Sequence, residues 1–270
     1  MRIVNLASGS KGNSTFLGYG ESKILIDAGL TEKNIKTRLA EIGERIEDIK
    51  AVVVTHEHID HVRAIKSLAK NYDMGFFVRE KLADSGFFAD VNFKEGKLHK
   101  ITDLCFNIGD FEILPVSVSH DAIDPVAYVV SVHGSKAKAG FVTDLGFVSD
   151  LVKKEFAGVK MAFLESNYDE KMLFGGKYPY LVKQRIAGNK GHLSNEQSLE
   201  LAKYLYDNGT KCFILSHLSE NNNTPEIAYS NYANFFESRG YVLDKDVFIR
   251  LSFQERHGNN FNLKEEWNGK

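Results

Sequence analysis

Three histidines and one aspartate occupy residues 56–61, whose sequence is His-Glu-His-Ile-Asp-His. This segment directly follows residues 49–55, an apolar run with three valines that predicts a buried strand. Neutral imidazole and carboxylate groups are ligands that suit zinc, manganese and iron. The alternative is a surface loop that happens to be rich in histidine, but nine histidines among 270 residues make such a cluster improbable by chance. The sequence therefore predicts a metal site at the end of a strand.

The spacing within this segment indicates more than one ion. His56 and His58 are two residues apart, so an extended backbone aims both side chains the same way. Asp60 and His61 open the helix that is predicted next and point to a neighbouring position. These four ligands exceed what one tetrahedral ion needs from a single segment, and a catalytic ion also keeps an open position. We therefore expect two divalent metal ions, each completed from elsewhere in the chain.

Three more polar residues follow apolar runs in the way that His56 does, namely His120, Asp144 and His217. Ligand-binding groups gather at the ends of strands in α/β proteins. A carboxylate such as Asp144 can bridge two cations. A lone histidine at a strand end is more often a structural hydrogen-bonding residue, so the shared position of all three is the stronger argument for metal binding.

Buried strands with helices on both sides predict a layered α/β fold. Thr31 is the expected N-cap of a helix that extends to about residue 42, and residues 194–206 and 225–238 predict two more helices. Residues 1–270 contain no linker, repeat or low-complexity segment, so we expect a single domain. The polar residues 259–270 are expected to be frayed.

Composition excludes several classes of protein. The net charge of −2 argues against a globally basic surface for nucleic acid or an anionic membrane, so any such surface would be local. The apolar stretches are too short to span a bilayer, and no membrane association is expected. Cys105 and Cys212 lie in apolar runs and are expected to be core residues of a cytoplasmic protein, not a disulfide pair.

The order of these polar residues resembles the metallo-β-lactamase superfamily, which begins its series here with Asp27 in the sequence Ile-Leu-Ile-Asp-Ala-Gly. The resemblance implies a four-layer αββα sandwich. It also implies that Asp27 supports the metal loop by hydrogen bonding without being a ligand. One ion would be held by His56, His58 and His120, the other by Asp60, His61 and His217, and Asp144 would bridge them.

Four further segments, residues 7–14, 164–169, 191–195 and 216–223, resemble the YycJ/WalJ group of that superfamily. This group is similar to ribonuclease Z and is associated with nuclease activity, including 5′-to-3′ exonuclease action on DNA. Ribonuclease Z uses a glutamate and a histidine to assist protonation of the leaving group. The matching residues here are Glu165 and His192.

The resemblance implies a phosphodiesterase mechanism. Two ions about 3.5–4 Å apart would share a hydroxide that attacks phosphorus in line. Asp60 would orient that hydroxide, and His192, oriented by Glu165, would protonate the departing oxygen. DNA is expected as the substrate over RNA. The alternatives are a phosphodiesterase for small molecules, a ribonuclease of the same fold, and a metal-stabilised binding or sensor protein without catalysis.

Two segments are candidates for binding the substrate. The glycine-serine loop 8–14 could hold a phosphate on its backbone N–H groups, although a plain turn fits equally well. Residues 171–190 carry five basic residues and no acid, with interleaved aromatic residues, which suits phosphate contacts and base stacking. A solvated helical face with core aromatics is the alternative there. The predicted contacts are Ser8, Ser10, Asn13, Lys183, Arg185, Ser194 and Asn195.

Overall fold

A computed structural model describes residues 1–264 of the chain. The first sheet has seven strands in the order β14-β1-β2-β3-β4-β5-β6. Strands β3 to β6 run parallel to one another, and β1 pairs antiparallel with both β2 and β14. The strands are β1 (Arg2–Ala7), β2 (Ser14–Tyr19), β3 (Ser22–Ile26), β4 (Ala51–Val53), β5 (Gly75–Arg79), β6 (Leu98–Ile101) and β14 (Asn260–Asn262).

The second sheet also has seven strands, in the order β13-β12-β11-β10-β9-β8-β7. Strands β10 to β13 are parallel, whereas β7, β8, β9 and β10 alternate in direction. The strands are β7 (Phe106–Ile108), β8 (Phe111–Ser117), β9 (Val126–Val132), β10 (Lys138–Val142), β11 (Met161–Glu165), β12 (Cys212–Ser216) and β13 (Phe248–Leu251).

Nine α-helices lie among the described residues, and the longer ones cover the outer faces of the two sheets. They are α1 (Glu32–Glu41), α2 (Ile59–Val62), α3 (Ile65–Asn71), α4 (Glu80–Asp84), α5 (Asp150–Phe156), α6 (Glu170–Gly175), α7 (Tyr180–Ile186), α8 (Asn195–Asp207) and α9 (Pro225–Ser238). Within residues 1–264, no helix has the length and apolar character needed to cross a membrane.

Three apolar clusters separate four layers of secondary structure. One cluster lies between the sheets, one between the first sheet and α1 and α3, and one between the second sheet and α5, α8 and α9. Strand β12 shows how alternation builds this arrangement, because Cys212 and Ile214 face the other sheet while Phe213 and Leu215 face the helices. The structure confirms the four-layer αββα sandwich.

Several local predictions can be compared with the elements observed. Helix α1 is capped by the Thr31 hydroxyl, which accepts a hydrogen bond from the N–H of Asn34, and α9 has the predicted bounds. The prediction of a frayed end is wrong for residues 260–262, which pair with β1, and the rest of that prediction beyond residue 264 lies outside the described residues. Cys212 is buried as expected, whereas Cys105 is exposed because it precedes the outer strand β7.

Candidate metal centre

The candidate metal centre lies where strands from both sheets end. Residues Asp27, Asp144 and His217 directly follow or lie close behind β3, β10 and β12, and each has a positive φ of 57–60°. A left-handed backbone is costly for residues other than glycine, so it persists only where the surrounding structure enforces it. Here it turns the chain sharply at the end of a strand and directs the polar side chain towards the centre.

The first group of candidate ligands is His56, His58 and His120, whose ligand atoms lie within 4.8 Å of one another. Nδ1 of His120 lies 3.0 Å from the carbonyl oxygen of Gly191, and its Nε2 lies 3.3 Å from Nδ1 of His58. Nδ1 of His56 is 3.0 Å from the hydroxyl of Thr55. Burial lowers the pKa of His56 and of His120, which favours the neutral imidazole that a metal needs.

The second group is Asp60, His61 and His217. Oδ2 of Asp60 lies 3.5 Å from Nε2 of His61 and 3.7 Å from Nε2 of His217. Burial opposes the charge of Asp60, but hydrogen bonding to His217 and His61 holds its pKa well below the usual range. Burial likewise opposes protonation of His217, yet the Asp144 carboxylate and its neighbours raise the pKa of His217 to about 10. The carboxylates of this half therefore favour a positive charge beside them.

Asp144 lies between the two groups. Its Oδ2 is 3.3 Å from Nε2 of His61, and its Oδ1 is 3.9 Å from Nε2 of His120. Burial disfavours its charge, but His217 and His61 hold the pKa of Asp144 well below its ordinary value. The carboxylate can therefore contact an ion in either group.

The donor set fits divalent cations. Among the described residues, Nε2 of His56, Oδ2 of Asp144 and Nε2 of His217 are buried side-chain atoms without a hydrogen-bond partner. Buried polar atoms are almost always satisfied, so three such atoms converging on one place call for an explanation. Imidazole nitrogen and carboxylate oxygen are the donors that zinc, manganese and iron take.

Asp27 contacts the second group through His61. Its Oδ2 lies 2.8 Å from Nδ1 of His61 and accepts a hydrogen bond from the Thr55 hydroxyl, while its Oδ1 accepts one from the N–H of Thr55. A carboxylate that accepts a hydrogen bond from Nδ1–H leaves Nε2 of His61 free for a metal. Gly29 is required beside this loop, because an added Cβ would lie 1.6 Å from the carbonyl oxygen of Asp60.

Glu165 and His192 form a second polar unit beside the ligand groups. The Glu165 side chain is fully buried, and its Oε1 lies 2.8 Å from Nδ1 of His192 and 2.9 Å from Nδ1 of His217. Its Oε2 accepts hydrogen bonds from the N–H groups of Leu145 and Leu193. Burial opposes its charge, but His192 and His217 lower the pKa of Glu165 to about 2. Glu165 thus contacts both His192, the residue that the family resemblance pairs with it, and a candidate metal ligand.

His192 faces the solvent-accessible side of the centre. Burial disfavours its protonation, but the Glu165 carboxylate raises the pKa of His192 overall. Its contact through Nδ1 leaves Nε2 for a substrate. The open space in front of the centre is a cavity of about 220 Å³. It is lined by Ser10, His58, Asp60, Asp121, Asp144, Asn167, Tyr178, Arg185, Ile186, His192, His217, Ser219 and Asn222.

The loop 8–14 supports the metal centre more than it faces the cavity. The hydroxyl of Ser8 is buried and accepts a hydrogen bond from the N–H of His217. The Asn13 amide lies 3.2 Å from Oδ2 of Asp60, and its Oδ1 accepts from the N–H of Gly9. Ser10 is exposed and lines the cavity. Of the three residues predicted to bind substrate in this loop, only Ser10 is placed to do so.

Ser194 and Asn195 are also placed differently from the prediction, because both are fully buried. Ser194 caps α8 in a capping box with Gln197. The Asn195 amide pairs with that of Asn223 and accepts a hydrogen bond from the hydroxyl of Ser166. These contacts anchor the start of α8 and leave neither side chain for a substrate.

The two basic residues predicted to bind substrate on α7 have different surroundings. The ammonium group of Lys183 donates to the carbonyl oxygens of Phe174 and Gly176, at 2.7 and 2.8 Å. Arg185 lines the cavity and contacts Asp121. Lys183 therefore closes the turn between α6 and α7, whereas Arg185 is available at the cavity.

Three residues near the centre are absent from the sequence-based prediction. Thr55 contacts Asp27 and lies 3.0 Å from His56 through its hydroxyl. The Asn167 amide donates to the carbonyl oxygen of His217. Asp121 directly follows the predicted ligand His120, and this adjacency is the sequence feature that could have identified it. Asn167 lies in the segment 164–169, which carries the group resemblance.

The fold of this chain is that of a known superfamily of proteins. The family model of the beta-lactamase superfamily domain matches residues 22–218. The solved structure of the metallo-beta-lactamase fold protein YhfI from Bacillus subtilis superposes with a TM-score of 0.70 at 13% identity, covering 96% of this chain and 98% of that chain. At this identity, the structural likeness concerns the fold alone.

Two curated relatives are similar over most of their length. Exodeoxyribonuclease YycJ of Bacillus anthracis is 35% identical over 239 residues, which cover 87% of this chain and 89% of the relative. Exodeoxyribonuclease WalJ of Streptococcus pneumoniae serotype 2 is 37% identical over 235 residues, which cover 85% and 86%. The chain therefore belongs to the β-lactamase superfamily and, within it, to the family of YycJ and WalJ.

Proposed function

We propose that this enzyme is a dinuclear-metal phosphodiesterase that degrades DNA from the 5′ end. The observation that carries the proposal is the arrangement of His192 and Glu165, 2.8 Å apart, beside two groups of candidate ligands at one cavity. A proton donor next to a cation site is what cleavage of a phosphodiester requires. The preference for DNA and for the 5′ end is supported by the family resemblance and by the names of the two relatives.

The proposed ligands are His56, His58 and His120 for one ion and Asp60, His61 and His217 for the other, with Asp144 between them. When bound, two divalent cations would acidify an attacking water and offset the charge that gathers on the phosphoryl oxygens. Zinc is compatible with this donor set, and so are manganese and iron. Asp60 lies beside both histidines of its group and would orient the attacking oxygen.

His192 would supply the proton that the departing oxygen needs. Glu165 raises its pKa and holds Nδ1, so the proton to be transferred is the one on Nε2. Glu165 is itself fixed by two backbone N–H groups, which leaves it no freedom to turn away. This rigidity suits a general acid, because proton transfer depends on a fixed distance to the reacting atom.

The test is the digestion of 5′- and 3′-labelled single- and double-stranded DNA and RNA by apoprotein to which zinc, manganese or iron is added singly. We expect release of label from 5′-labelled DNA first. Hydrolysis of bis-p-nitrophenyl phosphate without degradation of any nucleic acid would indicate a small-molecule phosphodiesterase. Degradation of RNA alone would indicate a ribonuclease. Stable metal binding without hydrolysis of any ester would indicate a binding or sensor protein.

We also propose that residues 1–270 form one domain in a reducing, cytoplasmic setting. The pairing of β14 with β1, which joins the two ends of the described chain, supports the first point. The two free cysteines, Cys105 and Cys212, support the second.

A further inference from the structure

Arg185 has an unusual position among the basic residues of the chain. Among the described residues that line the cavity, it is the only lysine or arginine. The side chain remains 71% exposed, while its Nε and Nη2 contact Oδ2 of Asp121 at 2.8 and 2.6 Å. Nη1 has no partner within residues 1–264. The guanidinium is therefore held along one edge and free along the other.

Asp121 connects this guanidinium to the candidate metal centre. While its Oδ2 holds Arg185, its Oδ1 lies 3.4 Å from Nε2 of His120 and 3.7 Å from Nε2 of His58. The two oxygens of Asp121 thus face different partners, so the carboxylate sets the distance between Arg185 and the first group of candidate ligands.

The loop that carries Asp121 is itself anchored. The N–H of Ile123 donates to Oε1 of Glu57, and Oδ2 of Asp124 accepts from the buried Arg79 guanidinium at 2.9 Å. Arg79 lies in β5 of the first sheet, and Glu57 lies in the loop that follows β4. Asp121 is therefore fixed to the sandwich, and it transfers that fixed position to the exposed helix α7.

Stability does not explain this ion pair, since an exposed arginine and a carboxylate contribute little to it. Electrostatics gives a better reason. Asp60 and Asp144 line this cavity but are proposed metal ligands, whose charge bound cations would offset, so Asp121 is the lining carboxylate that would still repel a polyanion. A phosphate backbone entering the cavity would meet one arginine, whose planar donor edge matches two phosphate oxygens.

We propose that Arg185 and Asp121 form a phosphate-positioning unit at the mouth of the metal centre. The free edge of Arg185 binds a backbone phosphate of the nucleic acid next to the scissile one. Asp121 is a positioning residue that acts through Arg185 and fixes where that phosphate lies. This role rests on the proposed function, and it identifies Arg185 as the residue that positions the nucleic-acid strand.

The test compares Arg185→Gln, Asp121→Asn and the double variant with wild type. Two measurements are made on the metal-loaded protein: affinity for a short phosphorothioate oligonucleotide at several salt concentrations, and kcat and KM on end-labelled DNA. Arg185→Gln should weaken binding by about three- to tenfold and reduce the salt slope by about one. Lys245→Gln removes the same charge from an exposed side chain outside the cavity and should change neither quantity.

Asp121→Asn should behave in the opposite way. It leaves the cation in place and removes a repelling carboxylate, so affinity and salt slope should be kept or raised. Turnover should nevertheless fall by about tenfold, because the phosphate is no longer held in register. In the Arg185→Gln background, Asp121→Asn should cause no further loss of kcat.

An unchanged affinity and salt slope in Arg185→Gln would overturn the inference. So would a loss of metal from Asp121→Asn, or an equal loss of kcat in both backgrounds, because Asp121 would then act through the metal. The proposed function fails separately: if the oligonucleotide binds with the expected dependence on Arg185 but wild type hydrolyses no DNA, the contact stands and the exonuclease does not.

Discussion

The loops at the strand ends and the connection between β11 and α8, residues 166–194, meet at one cavity but are built differently. The loops bury most of their candidate ligands, and His56 and His217 are 1% and 3% exposed. The connection instead exposes large apolar side chains, with Tyr180 67% and Leu181 76% exposed. One region holds polar groups in buried positions, and the other presents exposed side chains.

The connection also contacts the candidate centre at its C-terminal end. The carbonyl oxygen of Gly191 contacts Nδ1 of His120, and the N–H of Leu193 donates to Glu165. A Cβ on Gly191 would lie 2.1 Å from the carbonyl oxygen of Ile186, so the chain passes too closely there for a side chain. The two parts of the connection therefore differ in their surroundings. Residues 188–194 contact the candidate centre, and α6 and α7 precede them as a more exposed surface.

Replacing Asp60 by Ala should have the largest effect, because this carboxylate is proposed both as a metal ligand and as the group that orients the attacking oxygen. We expect no detectable hydrolysis of labelled DNA or of bis-p-nitrophenyl phosphate, with metal supplied. Asp73→Ala removes an exposed carboxylate paired with Lys97 and is the matched control. Turnover at the wild-type level in Asp60→Ala would contradict the proposed mechanism.

Replacing His192 by Ala should show whether a residue of the connection affects catalysis differently from the residues of the loops. We expect kcat on DNA to fall by about 10²- to 10⁴-fold, because the departing sugar oxygen needs a proton. Hydrolysis of bis-p-nitrophenyl phosphate should change little, since p-nitrophenolate leaves without protonation. Glu165→Gln should impair both substrates, because Glu165 also contacts Nδ1 of His217. Equal losses on both substrates in His192→Ala would mean that His192 supports the metal centre and is not the acid.

Replacing Asp27 by Asn should weaken the loops without removing a ligand. The amide has one accepting oxygen, so it cannot accept hydrogen bonds from Nδ1–H of His61 and from the N–H and hydroxyl of Thr55 as the two carboxylate oxygens do. Loss of such a supporting contact costs about 10- to 100-fold in metal affinity. Metal titration of the apoprotein measures this, and activity should return at high metal concentration. A variant that stays inactive at saturating metal would show that Asp27 does more than support the ligands.

The sequence predicted the loops better than the connection for a physical reason. A candidate ligand at a strand end is marked by its chemistry and by the apolar run before it, as for His120 and Asp144. A surface side chain carries no such mark, because its partner is set by tertiary packing. The side chains of Ser8 and Asn195 accept buried hydrogen bonds. The residue type alone cannot distinguish that structural role from substrate binding. The short edge strands β13 and β14 were missed as well, since few residues carry their pattern.

Lys183 gives the smallest expected effect and the sharpest contrast with Arg185 on the same helix. Its ammonium group joins the carbonyl oxygens of Phe174 and Gly176, so Lys183→Met should destabilise the protein by about 1 kcal/mol through loss of these hydrogen bonds. The charge lies inside the turn between α6 and α7, so the salt slope of oligonucleotide binding should stay at the wild-type value. Thermal unfolding and salt titration measure the two quantities. If the salt slope fell as far in Lys183→Met as in Arg185→Gln, Lys183 would be part of the binding surface, and the two residues would not differ in role.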